Sequence, residues 1–379
     1  MTLQAPCAAA APANDFGHRP AGALQIAEVG AYTFETGGFL PSVEIAFETW
    51  GTLNEAGDNA ILVAHALTGD THVAPTEADP GSGWWESLLG AGRPIDPERW
   101  FVVAPAMVGG CYGSTGPASP DPEGQPWGSR FPFVTIRDSV HLEARLADQL
   151  GITEFHTVIG GSMGGARALE WAATYPDRVG GVAVFACGAA STAEQIAFGQ
   201  AQIKAVENDP HFDGGDYYGG TVPEAGLQLA RRIAHITYRT ETELSVRFGR
   251  EPQGREEPFG WSSRRRGRYQ VESYLDHQAE KLSSRFDPNA YIVLTEALMS
   301  HDVGRGRGGA AQALQNITAV PFLAAVDSDR LYFPEQSREI AELLPGEHEV
   351  HMIASPIGHD GFLTSPDQLA DQMRRTLVL

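Results

Sequence analysis

The residues best suited to chemistry stand at Gly160-Gly161-Ser162-Met163-Gly164-Gly165, where the apolar run Val158-Ile159 breaks into Gly-x-Ser-x-Gly and resumes as Ala166-Arg167-Ala168-Leu169-Glu170-Trp171. A serine at a sharp strand-to-helix turn is held in strained backbone geometry with its Oγ at the end of the strand. Glycines at 160, 161, 164 and 165 let neighbouring backbone approach without Cβ clashes. The helix beginning near Met163 would aim its unpaired N–H groups, with their partial positive charge, at the point where an oxyanion forms. The pattern alone is short for a chain with 43 glycines, and a tight turn would also satisfy it. Its surroundings strengthen it. Val140, Leu142, Leu146 and Leu150 recur at roughly helical spacing, Gly151 stops that helix, Pro176 punctuates the next one, and an apolar run fills Val179 to Cys187. Helix, strand, elbow, helix, strand is the order of a parallel α/β unit.

A serine nucleophile needs a base to take its proton and an acid to orient that base. In the α/β-hydrolase arrangement these follow in the order Ser, then Asp or Glu, then His, on loops after later strands. The C-terminal region supplies both: Asp327-Ser328-Asp329 follows a strand expected to end at Val326, and Gly358-His359-Asp360-Gly361 follows one expected to end near Ile353. Among 12 histidines, His359 is the preferred base, because it lies in a glycine-flanked loop between the last strand and the terminal helix. His351 falls inside a strand, and His65 precedes Ser162 where oxyanion-hole backbone is expected. The residues themselves leave the two carboxylates open, since Asp327 could equally serve a turn or a helix cap. The oxyanion donors are expected to be the backbone N–H groups of Met163 and, from the loop 65–69, of Leu67.

These groups need a scaffold that brings distant loops to one edge. Alternation within 27–53, as in Ser42-Val43-Glu44-Ile45-Ala46-Phe47-Glu48, predicts opening strands of an antiparallel edge. Residues 60–65 and 100–105 read as buried strands ending at the same carboxyl edge as the elbow, where ligands bind in open α/β sheets. From 188 to 300 the strand-helix rhythm disappears. Helical stretches at 190–208, 225–239 and 269–281 flank a charged patch at 250–268. A strand at 320–326, a helix at 334–344, a strand at 350–353 and a helix at 367–377 close the chain. The expected fold is therefore an α/β-hydrolase, a mostly parallel central sheet with helices on both faces. Its core spans 23–187 and 301–379, with a helical lid at 188–300 and a disordered Ala- and Pro-rich arm at 1–22.

The composition of 379 residues, 42% hydrophobic and 20% charged, is that of a soluble globular enzyme. No apolar run approaches the roughly 20 residues that span a bilayer, so no membrane association is expected, and 1–22 lacks the basic start and apolar centre of a signal peptide. Cys7, Cys111 and Cys187 make no disulfide framework, which favours a reducing cytoplasm. No Cys/His cluster has zinc spacing, so no metal is expected. A net charge of −21 argues against nucleic acid as a partner and requires a local basic patch for any anionic substrate.

Read together, these motifs resemble the homoserine O-acyltransferases of the α/β-hydrolase superfamily, most closely the homoserine O-acetyltransferases of methionine biosynthesis. The likeness runs from about Ala46 to the end. It is carried by Phe47-Glu48-Thr49-Trp50-Gly51-Thr52, His65-Ala66-Leu67-Thr68-Gly69-Asp70, Gly109-Gly110-Cys111, Trp127-Gly128-Ser129-Arg130-Phe131-Pro132 and the elbow. It continues through Arg231 to Tyr238, His301-Asp302-Val303-Gly304-Arg305-Gly306-Arg307, Ser328-Asp329-Arg330-Leu331 and Gly358-His359-Asp360-Gly361. The resemblance implies Asp329 rather than Asp327 as the acid. It implies Arg231, Tyr238 and Asp360 as binders of the amino acid substrate, with Arg231 for its carboxylate and Asp360 for its ammonium. It further implies acetyl-CoA as co-substrate with no bound cofactor, L-homoserine as acceptor, a ping-pong route through an acyl-serine, and a homodimer formed through the lid. The cluster Arg264-Arg265-Arg266-Gly267-Arg268 would be either a seat for CoA phosphates or, the preferred reading, a solvated lid loop. The chain departs from the family pattern at Pro105-Ala106-Met107-Val108 and at Tyr112. Succinyl-CoA as donor, serine as acceptor, and a serine esterase with the same three residues stay open beside the acetyl reading.

Overall fold

The computed structural model describes residues 22–377 apart from 77–78, 261, 263 and 265. The arm expected at 1–22 thus lies outside the described residues except for Gly22. Among the described residues eight strands form one sheet: β1 (Gln25–Thr33), β2 (Phe39–Trp50), β3 (Ala60–Ala64), β4 (Phe101–Pro105), β5 (Phe155–Gly161), β6 (Val179–Phe185), β7 (Val320–Val326) and β8 (Val350–Ile353). Their order is β1-β2-β4-β3-β5-β6-β7-β8. β1 and β2 pair antiparallel at one edge, β2 joins β4 antiparallel, and all later pairings are parallel.

The order explains where the site lies. From β3 the chain passes to β4 on one side and then to β5 on the other, so a crevice opens above the carboxyl ends of β3 and β5 where the connections diverge. The loop after β3 carries Leu67, and the turn after β5 carries Ser162.

Helices α1 (Ile136–Leu150) and α2 (Met163–Thr174) cover one face. Thr135 and Asp138 cap α1 reciprocally, and Gly151 ends it in the left-handed conformation at φ 78°. Val140, Leu142 and Leu146 face the core as their spacing predicts. The opposite face is filled by Trp85, Phe185, Phe322 and Phe362.

Between β6 and β7 no strand occurs among the described residues. The chain there forms α3 (Ala193–Glu207), α4 (Glu224–Tyr238), α5 (Glu241–Phe248), α6 (Gln270–Ser283), α7 (Pro288–Met299) and α8 (Ala310–Gln315). The C-terminal part adds α9 (Pro334–Leu343), α10 (Gly361–Thr364) and α11 (Asp367–Thr376). No helix among the described residues is long and apolar enough to cross a membrane.

Candidate active site

The turn after β5 forces Ser162 into φ 55°, ψ −124°, a conformation that L-residues rarely adopt and that costs roughly 1–3 kcal/mol. Its N–H donates to the Phe185 carbonyl at 2.9 Å, which fixes the turn to β6. Two of the glycines show why no side chain fits beside it. A Cβ on Gly164 would lie 2.1 Å from the Ala64 carbonyl oxygen, and one on Gly161 would lie 2.3 Å from the ring of Phe362. The start of α2 is thereby pressed onto the end of β3. Among the described residues neither the Met163 nor the Leu67 N–H has a hydrogen-bond partner. Both loops therefore present free donors.

Asp329 and His359 meet as expected. His359 Nδ1 and Asp329 Oδ2 are 2.7 Å apart, and both residues are buried. The other carboxylate oxygen of Asp329 accepts the N–H groups of Leu331 at 2.8 Å and Tyr332 at 3.0 Å. Asp327 points elsewhere: it is exposed, and its carboxylate accepts the Ser355 N–H at 3.0 Å, tying together the loops after β7 and β8. Burial opposes a charge on His359, but the Asp329 carboxylate, its hydrogen bond and the nearby Asp360 together raise its pKa above the ordinary histidine value. The His359 ring packs between Tyr332 at 5.2 Å, Tyr238 at 5.7 Å and Phe362 at 5.7 Å. Phe362 is also the ring against Gly161, so the base and the elbow share a wall.

The other histidines have different work. His65 is buried between the Ala66 carbonyl (2.8 Å from Nδ1) and the Met107 N–H, which donates to Nε2 at 3.0 Å. Burial, with Arg167 nearby, pushes its pKa down to about 3. It is a neutral brace between the loops after β3 and β4. His351 lies in β8 and reaches the Gln368 carbonyl at 2.9 Å.

A cavity of about 50 Å³ opens above Ser162, with Leu67, Tyr238 and Tyr332 in its wall. Tyr238 carries the Arg231 guanidinium 5.7 Å above its ring, and Arg231 Nε is buried without a hydrogen-bond partner. Asp360 follows His359 and pairs with Arg239 at 3.3 Å. Of these side chains Tyr238 lines the cavity itself, with the Arg231 guanidinium and the His359 ring packed against it from behind. Sequence reasoning missed Ser191, Gln202, Thr295 and Met299, which also line the cavity. Uncharged side chains on or beside helices carry no local signal of such a role. The basic cluster is engaged elsewhere: Arg266 pairs with Glu272 at 2.6 Å, and Arg268 pairs with Glu256 at 2.8 Å and Asp276 at 3.2 Å. Arg265 lies outside the described residues. The engaged arginines fit an ion-paired surface loop. No group of three or more His, Cys, Asp or Glu able to hold a metal occurs among the described residues.

Beneath the elbow sits a network that the sequence reading did not find. Arg167 of α2 is fully buried against Glu143 of α1 at 2.7 Å. Glu143 also accepts from Ser139 at 2.6 Å and from Trp171 Nε1 at 2.8 Å, while Arg167 reaches the Pro105 carbonyl at 3.0 Å. Paired and hydrogen-bonded in this way, the buried charges lock α2, and with it Met163, onto the sheet. The i, i+4 spacing of Ser139 and Glu143 on a face otherwise apolar was the available signal.

Residues 59–366 match the family model for the alpha/beta hydrolase fold. The chain is 54% identical over 348 residues to a homoserine O-acetyltransferase of Thermobifida fusca, covering 91% of this chain and 90% of that protein. It is 48% identical to one of Mycolicibacterium smegmatis over 94% of both. Among solved structures, homoserine O-acetyltransferase from Bacillus anthracis superposes with a TM-score of 0.87 at 26% identity, covering 95% of this chain and 98% of that one. Esterase E22 superposes with a TM-score of 0.86 at 26% identity, covering 94% and 99%.

Proposed function

This chain belongs to the homoserine O-acetyltransferase family of the alpha/beta hydrolase fold, and from that premise we propose that it moves an acetyl group from acetyl-CoA to the side-chain hydroxyl of L-homoserine through an acetyl-Ser162 intermediate. His359, oriented through Nδ1 by Asp329, takes the Ser162 proton on Nε2 as Oγ attacks the thioester carbonyl carbon. The free Leu67 and Met163 N–H groups hold the resulting oxyanion, each worth about 3–4 kcal/mol in the transition state. The tetrahedral intermediate collapses, the C–S bond breaks, and CoA leaves with the proton from His359. The homoserine hydroxyl then gives its proton to His359 and attacks the acetyl-serine. Collapse returns Ser162, with its proton, and releases O-acetyl-L-homoserine for methionine biosynthesis.

One observation carries this reading over simple ester hydrolysis: the buried, unpartnered Nε of Arg231 above Tyr238, a wall residue of the cavity. An unpaired buried guanidinium donor is costly, and an amino acid carboxylate satisfies it. Asp360, beside His359 and paired with Arg239 at 3.3 Å, would be the partner for the ammonium. The helices between β6 and β7 act as the lid that keeps water from the acyl-enzyme. Exposed Leu229 and Ile236 on one face of α4, with Val246 of α5, support a homodimer formed through that lid. The unpaired thiols of Cys111 and Cys187 support a cytoplasmic setting.

The esterase reading stands second, because the overlay with esterase E22 is nearly as close as that with the transferase. Release of CoA from acetyl-CoA with homoserine, with serine and with no acceptor separates the two. Homoserine-dependent release with O-acetylhomoserine formed is the expected result, and rapid acceptor-independent release would make the enzyme a hydrolase.

A further inference from the structure

We propose, resting on the acyl-transfer reading above, that Met299, seated on Gly199 where α3 crosses α7, closes the acyl side of the cavity and sets the length of the neutral acyl group that Ser162 carries. The cavity has two functionally distinct sides. His359 must deliver a proton to the departing thiol and later take one from the acceptor hydroxyl, so leaving group and acceptor both approach from its side. Tyr238 and Tyr332, packed on the His359 ring, mark that side.

Away from the tyrosines the wall includes Phe198, Gly199 and Gln202 of α3 with Thr295, Leu298 and Met299 of α7. The two helices touch at Gly199. A Cβ there would lie 2.6 Å from Met299 Sδ, 2.7 Å from its Cγ and 3.2 Å from Thr295 Cγ2. The thioether therefore lies against bare backbone. Gln202 is held rigid by the Tyr291 hydroxyl, which donates to its carboxamide oxygen at 2.5 Å.

Size and charge then act together. Met299 and Gly199 both stand in the cavity wall, so the side chain at 299 bounds how far an acyl group can reach on that side. A methylene that a hydrophobic pocket does not fit changes kcat/KM by about 10- to 200-fold. None of the side chains lining the cavity is charged. A succinyl group would bring a carboxylate into a wall with no cation, a burial penalty that added length alone does not carry. Removing Met299 should therefore relieve the length limit and leave the charge limit.

The test compares acetyl-, propionyl-, butyryl- and succinyl-CoA as donors to homoserine, together with burst hydrolysis of the p-nitrophenyl acetate, propionate and butyrate esters. The proteins are wild type, Met299→Ala and Gly199→Ala. Met299→Ala is expected to raise the butyryl-to-acetyl ratio of kcat/KM at least tenfold in both assays, with succinyl transfer still at the wild-type level. Gly199→Ala, whose new methyl pushes the thioether into the cavity, should lower the propionyl-to-acetyl ratio at least threefold, and it decides the matter alone if Met299→Ala does not fold. A butyryl ratio within threefold of wild type in folded Met299→Ala, or succinyl transfer gained along with butyryl, overturns the proposal. Esters that follow the expected chain-length order while wild type shows no homoserine-dependent transfer would keep the pocket and remove the transferase reading instead.

Discussion

Asp329→Asn is the substitution whose effect the geometry specifies most closely. One oxygen of the carboxylate accepts the N–H groups of Leu331 and Tyr332, and the other accepts from His359 Nδ1. An asparagine can satisfy the two backbone donors only with its carbonyl oxygen, so its NH₂ must face Nδ1. His359 would then accept at Nδ1 and carry its proton on Nε2, the nitrogen that has to be unprotonated to activate Ser162. The fold keeps its shape and the base is held in the wrong tautomer. A change of this kind costs about 10⁴ in kcat, close to 5.5 kcal/mol at 1.36 kcal/mol per tenfold. Steady-state release of CoA with saturating homoserine measures it, and thermal unfolding checks that the variant is folded. Asp327→Asn, which alters one half-buried bond to the Ser355 N–H, should lose less than tenfold. Equal losses in the two variants, or a loss below tenfold in Asp329→Asn, would refute the assignment of Asp329 as the residue that sets the His359 tautomer.

The pH profile follows from the same pair. Because His359 is raised above the ordinary histidine value and must be neutral to act as base, kcat/KM should fall as pH drops through an inflection above that value. An inflection at or below it would count against the coupling to Asp329. Arg231→Met should raise the KM for homoserine at least tenfold while the rate of enzyme acylation by acetyl-CoA changes little. An unchanged homoserine KM would remove Arg231 from the acceptor site. Glu143→Gln replaces an all-acceptor carboxylate that receives donors from Ser139, Arg167 and Trp171, and it leaves the buried Arg167 charge uncompensated. It should lower stability by about 3–5 kcal/mol in urea unfolding, and a loss under 1 kcal/mol would show that the network is not a lock.

The legible parts of this chain are those whose physics is local. Parallel strands buried on both faces read as short apolar runs, so β3, β6 and β7 stand out in the sequence to within two residues, whereas β5 shows only its Val158-Ile159 centre. The Ser162 turn is legible because its strain and crowding demand glycines. α7 is not legible as a helix, because Pro288-Asn289-Ala290-Tyr291-Ile292-Val293-Leu294-Thr295-Glu296-Ala297-Leu298-Met299 is packed on most sides and lacks a single apolar stripe. α5 is short and mostly polar, with no buried residue to give it a period. Asp329 and Asp327 look alike in sequence, because what separates them is tertiary: two backbone donors and a ring for one, a loop tie for the other. The unmet hydrogen bond of Arg231 and the contact of Met299 with Gly199 exist only once helices cross.

The central claim is that Ser162 carries the acyl group between donor and acceptor. The protein is mixed with acetyl-CoA without acceptor, quenched in acid and analysed by intact mass and peptide mapping. Homoserine is then added to a parallel sample. The account predicts one added acetyl group on the Ser162 peptide, its disappearance as O-acetylhomoserine forms, and no labelling in Ser162→Ala. An unmodified enzyme throughout turnover, or a Ser162→Ala variant that still transfers within tenfold of wild type, would contradict it.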